Sequence, residues 1–402
     1  MKGDGMIGED LLAGKCVLTI FGTRPEAIKV APVLRELALR GRYRTVNVVT
    51  SQHTDLLTPF LKLFEIRTDH DLAAMQPGQP LNQLLARVIA AVDPILATEK
   101  PDLVLVQGDT TSALGGSLAA FQRRIPVAHI EAGLRSANPM SPFPEEMNRR
   151  LISRLCSYHF APTRHNVDLL VGEGVSPEGI FLTGNPVIDA VGWIMRAMPP
   201  SPALRKVLDE IAGLRLVVLT THRRENFGQV MRGHLETLRQ FVETHDDVAL
   251  VFPVHANPAV REVAYGVLDG VPRVRLIPPL DYADFLHLMA ASWLIASDSG
   301  GVQEEVPTLG KPLLVLRENT ERPEAIDCGV AKLVGHSAAR FREMLEEAAG
   351  EDSWMQHVRR VDNPFGAGDS AIRIVNAIEQ VLDADEDQFD HPGRTRVDGT
   401  VA

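Results

Sequence analysis

What most constrains this chain is a rhythm: twelve short apolar runs of β character, each followed by a longer stretch of helical pattern. Six lie in the first half, at Val17–Phe21, Val46–Thr50, Leu103–Val106, Val127–Ile130, His159–Ala161 and Ile180–Leu182. Six more follow Pro199-Pro200-Ser201-Pro202, at Leu216–Thr220, Ala249–Pro253, Val274–Ile277, Trp293–Ala296, Leu313–Leu316 and Lys332–Val334. Runs that are apolar throughout suit strands buried on both faces. Strand–helix alternation with little hairpin chemistry predicts parallel sheets covered by helices. Two such series predict an α/β fold of two Rossmann-like domains facing across a cleft. At 402 residues the chain is long enough for both, since single cores stop growing beyond about 250–300 residues.

The expected division is an N-terminal extension over residues 1–14, a first Rossmann-like domain over 15–190, and a second over 191–365. A closing segment over 366–382 contains a helix from Ser370 to Leu382, with Ile372, Val375, Ile378 and Leu382 at helical spacing. Asp383 to Ala402 is acidic and turn-prone, and reads as a mobile tail. A formal net charge of −11 argues against a nucleic-acid partner. Cys16, Cys156 and Cys328 are far apart, which excludes a disulfide frame or a Cys-x-x-Cys metal site and fits a reducing compartment. No apolar run approaches the roughly 18–20 residues that span a bilayer, and Met1 to Gly14 lacks a signal-peptide core. The expectation is a cytoplasmic protein without membrane insertion.

In doubly wound sheets ligands bind at the carboxyl ends of the strands, so the residues just after each run carry the functional reading. After Trp293–Ala296 comes Ser297-Asp298-Ser299-Gly300-Gly301. A helix beginning near Val302 would aim its unpaired N–H groups at a phosphate over Ser299, Gly300 and Gly301, with Glu305 a turn further in to reach ribose hydroxyls. After the first run, Gly22-Thr23-Arg24-Pro25-Glu26-Ala27-Ile28-Lys29 is no GxGxxG, and that fingerprint is absent from the chain. Nicotinamide chemistry loses support, and Arg24 and Lys29 become candidate phosphate ligands.

Three further strand ends in the first half each deliver a carboxylate: Asp109 after Gln107-Gly108, Glu131 after His129-Ile130, and Glu145 after Ser141-Pro142-Phe143-Pro144. Each alone reads first as a helix cap or a surface ion pair. Together they suit acid–base work, because gathered carboxylates push their proton affinities apart. In the second half His222-Arg223 and His255 follow successive runs, and Glu321-Arg322 follows another. These would add donors for a diphosphate leaving group. Phe285 is a candidate to flank a base, and equally a core residue.

The segments FGTRPEAIKVAP, QGDTTSALGGSLAAF, HIEAGLRS, SPFPEEMNR, GNPVIDA, HRRENFG, FPVHANP, DSGGVQEE, GKPLLVLRENTERPEA and NPFGAGD occur in this order. Together they resemble the bacterial non-hydrolysing UDP-N-acetylglucosamine 2-epimerases over roughly residues 16–382. The resemblance implies a glycosyltransferase-B-like fold with the C-terminal helix returning to the first domain, a homodimer, and no cofactor or metal. It implies interconversion of UDP-N-acetylglucosamine and UDP-N-acetylmannosamine through elimination of UDP and its re-addition. Carried over by motif, Asp109, Glu131, Glu145 and His222 form the catalytic set. Arg24, Lys29, Phe285, Ser299, Gly300, Gly301, Glu305 and Arg322 form the UDP-sugar set.

Many members of that family are activated by a second UDP-N-acetylglucosamine. The candidates for such a site here are Gln52, His53, Gln79 and His255, but Thr54 and Asp55 offer a diphosphate less than a cation would. Weak or absent activation is the expectation. The alternatives are an epimerase of a UDP-diacetamido uronic acid, a hydrolysing epimerase, a nucleotide-sugar glycosyltransferase and a non-catalytic nucleotide-sugar binding module.

Overall fold

The computed structural model describes residues 14–50, 60–76, 78–136, 138–223, 226–350 and 353–389, with the side chains of 385–389 left aside. Contacts divide the chain into two compact units. The first comprises the chain up to Gly133, Asn138–Pro186 and the chain from Asp369 on; the second comprises Leu134–Ala137 and Val187–Gly368.

The first unit holds a seven-stranded sheet: β1 (Cys16–Phe21), β2 (Arg44–Val49), β3 (His70–Asp71), β4 (Leu103–Gln107), β5 (Val127–Ile130), β6 (Tyr158–Ala161) and β7 (Ile180–Leu182). Their order is β3-β2-β1-β4-β5-β6-β7, and every pairing is parallel. All six residues of β1 are buried, as its unbroken apolar run requires. Leu18 and Ile20, with Val104 and Val106 of β4, meet the buried stripe Leu84, Val88, Val92 and Leu96 of helix Leu81–Glu99. By length and composition alone that helix could cross a membrane, contrary to the expectation that no stretch reaches spanning length. In the fold its stripe belongs to this core.

The second unit holds six strands: β8 (Arg215–Thr220), β9 (Val248–Pro253), β10 (Val274–Ile277), β11 (Leu294–Ser297), β12 (Leu313–Val315) and β13 (Ala331–Leu333). They lie in the order β10-β9-β8-β11-β12-β13, again all parallel. Val217, Leu219, Leu250 and Phe252 pack with Met231, Leu235, Leu238 and Phe241 of helix Gln229–Thr244.

Each sheet therefore reverses its winding once. In the first the switch point lies between β1 and β4, in the second between β8 and β11. Just outside such a reversal, the diverging connections leave a crevice at the strands' carboxyl ends.

The helix expected to end at Leu382 continues to Phe389, so the acidic segment does not leave it at Asp383. No glycine or proline interrupts the sequence before Pro392, and Arg42 Nη2 pairs with Asp383 Oδ1 at 3.2 Å. The helix packs on helix Arg24–Arg40, where Arg40 Nη1 meets Glu379 Oε2 at 2.8 Å and Lys15 Nζ donates to the carbonyl of Leu382. Its buried face is Ala371, Ile374, Val375, Ile378, Val381 and Leu382, whereas Ile372, expected inside, is 47 % exposed.

Candidate active site

At the first switch point the chain leaves β1 through Gly22. A Cβ there would collide with Thr50 Oγ1, whose own hydroxyl meets Ser112 Oγ at 2.7 Å. Only a glycine lets the turn close over these groups. Thr23 then caps helix Arg24–Arg40 in a capping box with Glu26, and Pro25 sits in the first turn. The Glu26 carboxyl is buried. It accepts from Gly22 N at 3.1 Å, Thr23 N at 2.7 Å and Thr110 Oγ1 at 2.8 Å. Burial pushes its pKa up to about 7, and the hydrogen bonds offset only part of that. Glu26 thus ties the turn after β1 to the turn after β4.

Asp109 lies in that second turn, directly before Thr110, the N-cap of helix Thr111–Gln122. Arg149 holds the Asp109 carboxylate with Nη2 at 2.7 Å and Nε at 2.8 Å, and Asn148 Nδ2 donates to the Asp109 carbonyl at 2.8 Å. Arg149 is buried, and its Nη1 reaches Glu146 Oε2 at 3.1 Å.

Glu131 follows β5 in the left-handed region at φ 68°, which few residues other than glycine adopt. Its buried carboxylate accepts from Lys29 Nζ, Gln107 Nε2 and, at 3.3 Å, Asn185 Nδ2. Lys29 is therefore engaged with a carboxylate of its own unit, rather than standing open as the phosphate ligand expected from sequence. Arg24 is exposed, with its guanidinium 5.6 Å from the centre of the Phe60 ring. Glu145 is half-buried and opens helix Glu145–Leu155, placing a carboxylate in its first turn.

At the second switch point, helix Gly300–Leu309 begins at Gly300 with Ser299 as N-cap, two residues earlier than expected. The low helix propensity of a glycine pair hides this start in the sequence. Ser299 N donates to Ser297 Oγ at 3.0 Å, and no side chain caps the first turn. A Cβ on Gly300 would stand 2.8 Å from Arg322 Nη1, so glycine permits the close approach of that guanidinium.

Arg322 is buried between Glu304 Oε1 at 2.7 Å and Glu321 Oε1 at 2.6 Å, while Arg317 Nη1 meets Glu321 Oε2 at 2.9 Å. Glu321 thus joins the two guanidinium groups. Glu305 is buried and accepts from Tyr282 OH at 2.7 Å, which ties helix Tyr282–Ala291, with half-buried Phe285 on it, to the glycine helix.

His222 follows β8 with its side chain 41 % exposed, and its ring stacks on His255 at 5.7 Å between centroids. His255, expected in an activator site, thus lies beside a residue of the expected catalytic set. Gln79 lies in the first unit, with Nε2 3.4 Å from the carbonyl of Ala74. Gln52 and His53 lie outside the described residues.

Reading the sequence missed Glu26, Arg149 and Asp298. The first carried a visible signal, Thr23-x-x-Glu26 ahead of an apolar helix. The other two act through partners 40 and 76 positions away, which no local pattern announces.

An uncapped helix start suited to phosphate at one switch point and cation-held carboxylates at the other define a class: nucleotide-sugar enzymes of the glycosyltransferase-B-like α/β fold. A family model described as UDP-N-acetylglucosamine 2-epimerase matches residues 35–379. The chain is 45 % identical over 368 residues to the UDP-N-acetylglucosamine 2-epimerase of Escherichia coli K12, covering 90 % of this chain and 98 % of that one. The structure of UDP-GlcNAc 2-epimerase from Neisseria meningitidis bound to UDP-GlcNAc aligns with a TM-score of 0.86 at 40 % identity, covering 91 % of this chain and 100 % of the other. An S. aureus MnaA–UDP co-structure aligns with a TM-score of 0.86 at 39 % identity, covering 92 % and 97 %. The chain belongs to the UDP-N-acetylglucosamine 2-epimerase family.

Proposed function

We propose that this chain interconverts UDP-N-acetylglucosamine and UDP-N-acetylmannosamine without hydrolysis, by anti elimination of UDP and its return. The observation that carries this reading is the pair Asp109 and Glu131, at the ends of neighbouring strands β4 and β5, each held by its own cation. One carboxylate of the set removes the C2 proton. The C–H electron pair becomes the C1=C2 bond of 2-acetamidoglucal as the C1–O bond to UDP breaks. A second carboxylate delivers a proton to the other face of C2 while a phosphate oxygen re-forms its bond to C1. Glu145 completes the set. C2 begins and ends at one oxidation level, so the scheme needs no redox partner.

In the second unit the Ser299 hydroxyl and the N–H groups of Gly300 and Gly301 meet the diphosphate, Glu305 reaches the ribose and Phe285 lies beside uracil. His222 and Arg322 complete this UDP-binding set. Binding of UDP by the S. aureus relative and of UDP-GlcNAc by the N. meningitidis relative supports this half of the reading. The product would supply N-acetylmannosamine for surface polysaccharide synthesis.

NMR of UDP-N-acetylglucosamine with the protein in D2O tests the proposal. The expected result is a UDP-N-acetylmannosamine signal with deuterium at C2. Free N-acetylmannosamine with UDP would place the chain among hydrolysing epimerases. An unchanged spectrum would move the search to UDP-diacetamido uronic acids.

A further inference from the structure

One carboxylate of the second unit has no part in the scheme above: Asp298, the residue before Ser299. It is fully buried, and a buried charge persists only when its lone pairs are occupied. Its two oxygens are occupied differently. Oδ2 accepts from Thr221 Oγ1 at 2.7 Å, His222 N at 3.0 Å, Arg223 N at 3.0 Å and Asn226 Nδ2 at 2.9 Å, which fastens the turn after β8 to the end of β11. Oδ1 faces His222, with its backbone nitrogen at 3.2 Å and ring Nδ1 at 3.4 Å. One oxygen holds the loop, and the other addresses the imidazole that the loop carries.

We propose that Asp298 is a positioning residue: its Oδ1 keeps the His222 proton on Nδ1 and so turns Nε2 outward, as the atom that meets the phosphate oxygen leaving C1 and returning to it. The inference rests on the reading of His222 as a group that meets UDP. A carboxylate at one ring nitrogen fixes which tautomer is present and how the ring is turned. His255 limits ring rotation from one face, at an interplanar angle of 22°.

Titratable or charged groups from three places face the ring. Arg223 is on its own loop, its Nε bound to the Asp298 carbonyl at 3.1 Å; His255 follows β9; Asp298 follows β11. The Arg223 guanidinium repels a second proton on the ring. Asp298 is the group that favours the doubly protonated form, in which Nε2 donates to a phosphate.

The test is nitrogen NMR of His222 in the ¹⁵N-labelled full chain, with and without UDP. In the neutral ring the proton is expected on Nδ1, and UDP is expected to move the Nε2 resonance. Asp298→Asn, of the same shape, is expected to give mixed tautomers and lower the ring's titration midpoint by about one unit. It should also cut turnover about 100-fold with a smaller change in KM. A neutral wild-type ring protonated on Nε2 overturns the proposal without any variant, so a poorly folding Asp298→Asn leaves it decidable. Bound UDP that leaves Nε2 unmoved overturns it as well. If UDP does not bind at all, the reading of the second site fails, and the proton's place on the ring still decides the role of Asp298.

Discussion

The two units share a strand order and differ in what they set at its reversal. Beside β1 and β4 the first unit gathers side chains: the buried Glu26, Asp109 on Arg149 and, one strand over, Glu131 on Lys29. Beside β8 and β11 the second unit sets His222 against the buried Asp298 after one strand and, after the other, a helix start bare of large side chains. Two glycines open a helix, and Glu304 and Glu321 hold the nearest guanidinium, Arg322, beside it. That helix start offers backbone N–H groups and a dipole, which suit an anion. One strand order thus carries two arrangements: cation-held carboxylates after β4 and β5, and a glycine helix start after β11.

The sharpest way to break this contrast is to disable each half separately. Asp109→Asn or Glu131→Gln is expected to lower kcat about 10²–10⁴-fold while UDP affinity stays nearly unchanged. Gly300→Ala should do the reverse. Its new methyl displaces Arg322 from beside the helix start and weakens UDP binding about 10- to 100-fold, the worth of a charged hydrogen bond. Calorimetric titration with UDP and steady-state rates on the same variants check both. A loss of turnover in Gly300→Ala at full UDP affinity would end the division of labour.

Next in size is the cost of unpairing a buried charge. The Lys29 and Glu131 side chains are 9 % and 7 % exposed, so Lys29→Met strands a carboxylate in the first unit. A loss of about 3–5 kcal/mol in urea denaturation is expected, with recovery when Glu131→Gln is added. No recovery in the double variant would mean that Lys29 acts through packing rather than charge.

The same contrast explains what could be read from sequence. Twelve of the thirteen strands fall within two residues of the apolar runs that announce them, because buried parallel strands must be apolar along their whole length. The exception, β3, is an edge of two polar residues, His70 and Asp71, with no pattern to read. Strand ends pointed to Asp109, Glu131 and the Ser299 turn because the fold class says where sites lie. Pairings were invisible: Lys29 and Glu131 are 102 positions apart, and only the order of β1, β4 and β5 brings them together. Ile372 shows the limit of periodicity. It shares its spacing with Val375, yet the stripe that packs on helix Arg24–Arg40 is centred one residue earlier.

The smallest expected effect is the most diagnostic of the first unit. Glu26 has its pKa raised by burial from 4.5 to about 7, so between those values the folded chain holds a proton that the unfolded chain has released. Stability from this group is therefore fully present below about pH 4.5 and is lost as pH rises through about 7, a change of about 3 kcal/mol at most. The direction is opposite to that of an ordinary salt-bridged carboxylate, which strengthens a fold as pH rises. Glu26→Gln keeps the shape, accepting from Gly22 N and Thr23 N through its oxygen and donating to Thr110 through its amide. It is expected to fold with the same partners, the Thr110 bond reversed, and to flatten the profile between pH 4.5 and 7. Urea midpoints across that range check this, and a Glu26→Gln profile parallel to that of the wild type would mean the slope arises elsewhere. Should the two units unfold in separate transitions, the pH-dependent one is expected to be the first unit's, since that is where Glu26 is buried.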